Sequence, residues 1–171
     1  MSTSTATTPH PADLRRADPA QTVTAAAGES ALIAAGRLNQ RAWTDASRLL
    51  YSGRIDEFLA LWTPDARYEV AYPATGIPAV AQGKDAMRAL FGGLTSAATS
   101  IEVQDVHFHQ TIDPQVAIIQ QRMVAELHGG GRYENLMIIL VTFREGLIAE
   151  AFEYYGQQAH QELLRQLGLA D

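Results

Sequence analysis

Apolar residues recur at helical spacing over 29–52, where Leu32, Ala35, Leu38, Ala42, Ala46, Leu49 and Leu50 make one stripe. Gly53 then supplies a stop, because glycine readily takes the left-handed conformation that closes a helix. A second, shorter helix is expected over 55–62, presenting Phe58, Leu59 and Trp62 and ending at Thr63-Pro64. Residues 66–72 alternate as a strand does, and 73–82, with three glycines or prolines, read as a loop. Helical spacing returns over 83–94 with Ala86, Met87, Leu90, Phe91 and Leu94.

Strand patterns fill most of the remainder. Residues 101–111 end in Asp113-Pro114, 116–128 close in Gly129-Gly130-Gly131, 132–143 turn at Arg144-Glu145-Gly146, and 147–155 form the last strand. A closing helix is expected over 157–167, with Leu163, Leu164 and Leu167 on one side. This order is α+β, since the hairpin turns are too short for parallel crossovers. In Leu136-Met137-Ile138-Ile139-Leu140-Val141 both alternating faces are apolar, which predicts cover on both sides. One side faces the helices. For the other, a second copy in a two-fold homodimer is the economical cover, with the closing helix or the N-terminal arm as the alternative.

Composition fits one domain. The 171 residues are 47% hydrophobic, enough for a sizeable core, whereas 1–28 are Ser, Thr, Ala and Pro without apolar periodicity. That stretch is expected to remain a disordered arm, leaving 29–171 as the folded domain. Its Arg15-Arg16 pair is followed by Asp18, Pro19 and a polar run, which argues against twin-arginine export. No apolar run approaches the roughly 20 residues that cross a bilayer, so no membrane partner is expected. The absence of cysteine removes disulfides and thiolate chemistry and suits a cytoplasmic setting. A formal charge of −6 without a basic stripe argues against nucleic acid.

The run Gly53-Arg-Ile-Asp-Glu-Phe-Leu-Ala-Leu-Trp-Thr-Pro-Asp65-Ala66 resembles the polyketide-cyclase, SnoaL-like branch of the nuclear-transport-factor-2-like superfamily. So do the Gly83 helix start, residues 135–143, Gly146, Ile148, Glu153-Tyr154-Tyr155 and Leu167-Gly168, and the likeness touches the phenazine-biosynthesis A/B proteins. It spans about 37–168 and implies a cone, a bent antiparallel sheet wrapped over three helices around a central pocket. No G-x-G-x-x-G after a strand and no Walker loop occurs in the sequence, so no cofactor is expected, and the pocket is expected to take a small, largely apolar substrate. This architecture hosts isomerases, cyclases, epoxide hydrolases and non-catalytic binding modules, so activity must be argued from the pocket.

Alternation along the last strand puts Glu153 on one face and Glu150 on the other. The resemblance selects Glu153, at the family's acid/base carboxylate position. A carboxyl walled by Trp, Phe, Leu and Met loses hydration, and its pKa climbs toward the range useful for proton transfer. The alternative is a structural pairing with an arginine such as Arg122, which is also a candidate substrate contact. By the same resemblance Tyr68 is a polar pocket residue whose hydroxyl could polarise a substrate oxygen; the alternative for it and Tyr72 is plain aromatic wall. Trp43, Trp62, Phe91, Met137 and Tyr155 are candidate lining, and Asn135 an inward amide seeking a partner or a ligand. His107 and His109 share a strand face with Asp105, a thin metal pattern lacking a third histidine, and no metal is expected.

The sequence departs from its relatives in telling places. Val70, Ala46 and Ile138 stand where the steroid-isomerase branch carries its base and oxyanion pair. Arg122, Val124 and Glu126 break the relay of the epoxide-hydrolase branch, and Ile139 replaces a histidine frequent in the cyclases. The reading that follows is a cofactor-independent cyclase or isomerase of secondary metabolism acting on a polyketide-like or other apolar carbonyl compound. A non-catalytic ligand-binding or accessory module is the alternative, with an epoxide hydrolase behind it.

Overall fold

The structure, a computed structural model, describes residues 19–73, 78–166 and 168. Two compact units divide the chain, Met1–Ala31 and Leu32–Asp171. In chain order the elements are α1 (Pro19–Tyr51), α2 (Ile55–Ala60), β1 (Trp62–Val70), β2 (Val80–Gln82), α3 (Gly83–Ala97), β3 (Ala98–Gln110), β4 (Val116–Leu127), β5 (Arg132–Arg144), β6 (Leu147–Tyr155) and α4 (Gln157–Gln166). The fold is α+β, with four helices and one six-stranded sheet among the described residues.

Helix α1 starts ten residues before the helix expected over 29–52. The expectation of an unstructured arm through residue 28 is therefore corrected over 19–28, while residues 1–18 of that arm lie outside the described residues. Pro19 suits a first helical position, and Ala25-Ala26-Ala27 favour helix by intrinsic propensity, which leaves no periodic signal. At the other end Gly53 has φ +75° and its N–H donates to Leu50 O, the expected stop.

The sheet runs β2-β1-β6-β5-β4-β3. Its hairpins are antiparallel, but β1 lies parallel to β6, which corrects the wholly antiparallel expectation. The β5–β6 turn is made by Glu145 and Gly146, with φ of +54° and +80°, a mirror-image turn whose twist suits a hairpin. Trp62, expected at a helix end, instead opens β1. The register jumps from Trp62↔Ile148 to Arg67↔Glu150, so Pro64 falls in a bulge where its missing N–H breaks no ladder. Residues 80–82, expected as loop, pair with β1 as β2. The predicted helical end at Leu167 lies outside the described residues.

One sheet face carries the core. Ala66, Tyr68 and Val70 of β1, Ala117, Ile119 and Met123 of β4, and Met137, Ile139 and Val141 of β5 are buried together with Phe58, Leu59, Met87 and Phe91 of the helices. Each such full burial of a large side chain contributes roughly 1.5–3 kcal/mol. The opposite face of β5 is bare: Leu136 is 66% exposed, Ile138 47% and Leu140 41%.

Candidate proton-transfer site

Glu153 sits on the core face of β6, between buried Ala151 and half-buried Tyr155, while Glu150 and Tyr154 point out. Only 5% of it is exposed. The parallel register sets Tyr68 beside Ala151 and Val70 beside Glu153, and from there the Tyr68 hydroxyl donates to Glu153 Oε2 at 2.7 Å. The other carboxyl oxygen, Oε1, is shut off from water and has no hydrogen-bond partner among the described residues. A polar atom in that state is costly, and the cheapest relief is protonation or a ligand.

Burial raises the Glu153 carboxyl to about 7, with the Tyr68 hydrogen bond pulling the other way. The Tyr68 phenol is pushed well above its ordinary range, by burial first and the Glu153 charge second, so it remains a hydroxyl donor. Two tyrosines not singled out from the sequence belong to the same neighbourhood. Tyr51, the last residue of α1, is raised by burial and then by Glu153's charge. Tyr133 on β5 is raised by burial, with Asn135 opposing and the Glu153 charge adding. Both had a readable signal: Tyr51 lies eight positions beyond Trp43 on one helix face, and Tyr133 shares strand parity with Asn135 and Met137.

The aromatic candidates divide. Phe91 stacks edge-on against Tyr68 with ring centres 4.8 Å apart, and Trp62 lies 6.2 Å from Tyr68, so both wall the hydroxyl that holds Glu153. Trp43 is buried in the same core with its indole N–H unpartnered among the described residues. Met137 is buried, its sulfur 3.9 Å from Gln121 Nε2, and Tyr155 packs its ring 4.9 Å from that of His160 on α4.

Two candidates are corrected, and a third finds protein partners. Tyr72 is 60% exposed and meets Tyr154 at 6.2 Å, because β1 ends at Val70 and the strand parity that tied it to Tyr68 ends there too. Arg122 points to the outer face, as Gln121 and Met123 take the inward parity, and it pairs with Asp105 and Glu134, each at 3.0 Å. It is neither a core-side substrate contact nor the partner of Glu153. Asn135 is inward and buried, but its bonds are taken: Nδ2 donates to Tyr133 Oη at 2.7 Å and Gly156 O at 3.0 Å, and Oδ1 accepts from Gly156 N at 2.7 Å. It clamps the β6–α4 junction.

His107 and His109 are exposed, with stacked rings 6.5 Å apart, and His109 lies 3.4 Å from Gln120. No group of three or more His, Cys, Asp or Glu placed to hold a metal occurs among the described residues. No described helix is long and apolar enough to cross a membrane.

A bent α+β sheet over helices, with a carboxyl and a phenol buried on its core face, is the nuclear-transport-factor-2-like architecture, and proteins called NTF2-like are among the matching solved structures. Within that class, the model of the SnoaL-like domain matches residues 41–151, and the chain belongs to this family. Three solved structures show the likeness. A phenazine biosynthesis-related protein of Pseudomonas aeruginosa shares 19% identity over 81% of this chain and 86% of its own, with TM-score 0.66. A protein of Xanthomonas campestris pv. campestris proposed to be a polyketide cyclase shares 14% over 78% and 98%, TM-score 0.64. A Mycobacterium tuberculosis protein in complex with estradiol-17beta-hemisuccinate shares 19% over 70% and 95%, TM-score 0.63. At these identities the likeness is one of fold. No curated protein matches the chain by sequence.

Proposed function

We propose that the chain is a cofactor-independent cyclase or isomerase of small-molecule metabolism, acting on a polyketide-like or other apolar carbonyl compound. The observation that carries this reading is Glu153: a buried carboxyl raised to about 7, anchored through Oε2 by Tyr68, with Oε1 unpartnered. A base of that strength exchanges protons near neutral pH. Oε1 takes a proton from the carbon beside a substrate carbonyl; the C–H electron pair moves into an enolate, and the oxygen takes the charge. Returning the proton to a different carbon completes an isomerisation. If the enolate carbon first attacks a second carbonyl, a ring closes and the new alkoxide accepts the proton. Tyr68 is the positioning residue that leaves Oε1 as the working oxygen. Neighbours related to phenazine biosynthesis and proposed for polyketide cyclisation support the class of chemistry, and the estradiol-17beta-hemisuccinate complex supports small-molecule binding.

The test is deuterium incorporation next to the carbonyl of apolar cyclic ketones in heavy water. Glu153→Gln is expected to lower the exchange rate by about 100-fold or more while ligand affinity persists. A wild-type protein that binds ketones but exchanges no proton overturns the enzyme reading. The outcome would favour a binding or accessory module, a reading supported by Ile139, which faces Glu153 across β5 and β6 where an imidazole would assist. An epoxide hydrolase would instead place labelled oxygen from water in its product.

The same proposal includes a homodimer through the outer sheet face, where Leu136, Ile138, Leu140 and Tyr154 form an apolar stripe uncovered among the described residues. Ile138→Asp is expected to shift the solution mass from dimer to monomer without unfolding. A wild-type monomer at high concentration removes the dimer and leaves the chemistry. We further place the protein in the cytoplasm, in keeping with the absence of cysteine.

A further inference from the structure

We infer that the Glu153 site selects uncharged ligands, so that its substrate is a neutral carbonyl compound and not a carboxylic acid, a phosphate ester or an amine. The inference rests on the reading above that Glu153 faces the ligand. It begins from an imbalance of charge: among the described residues Glu153 is the one buried Asp, Glu, His, Lys or Arg, and its other buried polar company is Asn39, Thr63, Gln121, Asn135 and the phenols of Tyr68 and Tyr133. Every described arginine and lysine keeps part of its side chain at the surface. An anion entering the core face would leave water without meeting a cation.

The groups facing Glu153 deepen the imbalance. Tyr68 comes from β1, Tyr51 from α1 and Tyr133 from β5, and each phenol is pushed up by the Glu153 charge as well as by burial. They already register the repulsion that a second negative group would meet. Tyr155 of β6 brings a further phenol, and His160 of α4 packs against Tyr155 at 4.9 Å and Tyr133 at 6.3 Å. Burial pushes that imidazole down, which disfavours its charged form, and its Nε2 is buried without a partner among the described residues, a free hydrogen-bonding atom. Helices α2 and α3 contribute Phe58, Met87 and Phe91.

The free Oε1 decides between a neutral ligand and a cation. Protonated, it donates to a carbonyl oxygen; ionised, it accepts from a hydroxyl or removes a proton from carbon. An ammonium would lock it in a buried ion pair, lower its pKa and end its proton exchange.

The experiment compares three probes on one skeleton: tetralone, tetralin carboxylate and aminotetralin. Binding is read from the fluorescence of Trp43 and Trp62, in the wild type and in Glu153→Gln, at about pH 6 and about pH 8.5, on either side of the Glu153 titration. Tetralone is expected to bind at both values. The carboxylate should bind about tenfold or more weakly than tetralone at the higher pH, and the gap should narrow several-fold at the lower pH, where Glu153 is uncharged. In Glu153→Gln the gap should be smaller and indifferent to pH. A carboxylate that matches tetralone at the higher pH, an amine that exceeds it, or a gap unmoved by both pH and substitution overturns the inference. Those outcomes leave the proton-transfer reading standing, whereas failure of all three probes to bind removes the ligand site and both readings with it.

Discussion

On the helix-covered face of the sheet, Glu153 has a phenol for a partner and no arginine. On the opposite face Glu134 has two arginines, Arg122 at 3.0 Å and Arg132 at 3.6 Å, and Arg67 pairs with Glu69 in the same fashion. Both faces carry acidic residues, but water and guanidinium surround them on one and are withheld on the other. The difference in surroundings follows from which way an alternating strand turns each side chain. On the outer face Glu134 and Glu69 lie against guanidinium groups, and on the core face Glu153 is left without a cation among the described residues. The same division holds for apolar residues: Ile139 is buried beside Glu153, and Ile138, the next residue, lies open.

The largest effect expected from this contrast is on stability. Ile139→Ala cuts the side chain back to a methyl in a site with almost no exposure, and should cost about 2–4 kcal/mol in urea unfolding. Ile138→Ala should cost about 1 kcal/mol or less in dilute protein. If the outer face joins two copies, that smaller cost should grow with protein concentration, since association adds to apparent stability. Equal costs at both positions would break the comparison.

Titration gives the next effect. Folded Glu153 keeps its proton up to about 7, whereas an unfolded glutamate loses it near 4.5. Between those values the folded state binds more protons than the unfolded one, so this group's contribution falls as pH rises through the window and is fully lost above it. The swing is about 3 kcal/mol. Glu153→Gln should flatten that part of the curve and be the more stable protein at about pH 8 by an amount of this order. Tyr68→Phe should move the Glu153 titration further up, because it removes the one bond that favours the carboxylate; carbon NMR of the carboxyl would read both.

Asn135→Ala should cost about 1–2 kcal/mol, since Tyr133 loses its donor while the exposed backbone of Gly156 can turn to water. Gly156→Ala tests the same clamp from the other side: a β-carbon there would lie 2.8 Å from Asn135 Oδ1 and displace it. Thermal unfolding of both variants should show similar losses, and the double variant should cost less than their sum.

How much of this was legible in the sequence depends on the distance over which each feature is decided. Hairpins are local, so the turns at Asp113-Pro114, Gly129-Gly130-Gly131 and Glu145-Gly146 placed four strands within a few residues of their ends. Parity along β6 separated Glu153 from Glu150 correctly. The parallel pairing of β1 with β6 was not legible, because Tyr68 and Glu153 are 85 residues apart and no local pattern encodes which strands become neighbours. Tyr72 was misplaced by carrying parity past the end of its strand, and Arg122 by pairing charges without strand parity. Parity placed Asn135 on the inward face, but which partner it would find was not legible, since Gly156 arrives from the β6–α4 junction. The start of α1 escaped because alanine makes helix without making a stripe.

The smallest effect should come from the face where charges are already matched. Glu134→Gln breaks the contacts with Arg122 and Arg132, yet both arginines keep other partners, Asp105 at 3.0 Å and Glu126 at 3.4 Å. These side chains keep 39–60% of their surface exposed, so water screens the loss and reaches the freed guanidinium groups. The change should be below about 1 kcal/mol and shrink further as salt is added. The substitution removes the same carboxylate charge as Glu153→Gln, from the opposite face. If it altered stability with pH as steeply as the buried change does, the distinction between a compensated and an uncompensated face would have no basis in burial, and the case for Glu153 as a proton carrier would lose its physical ground.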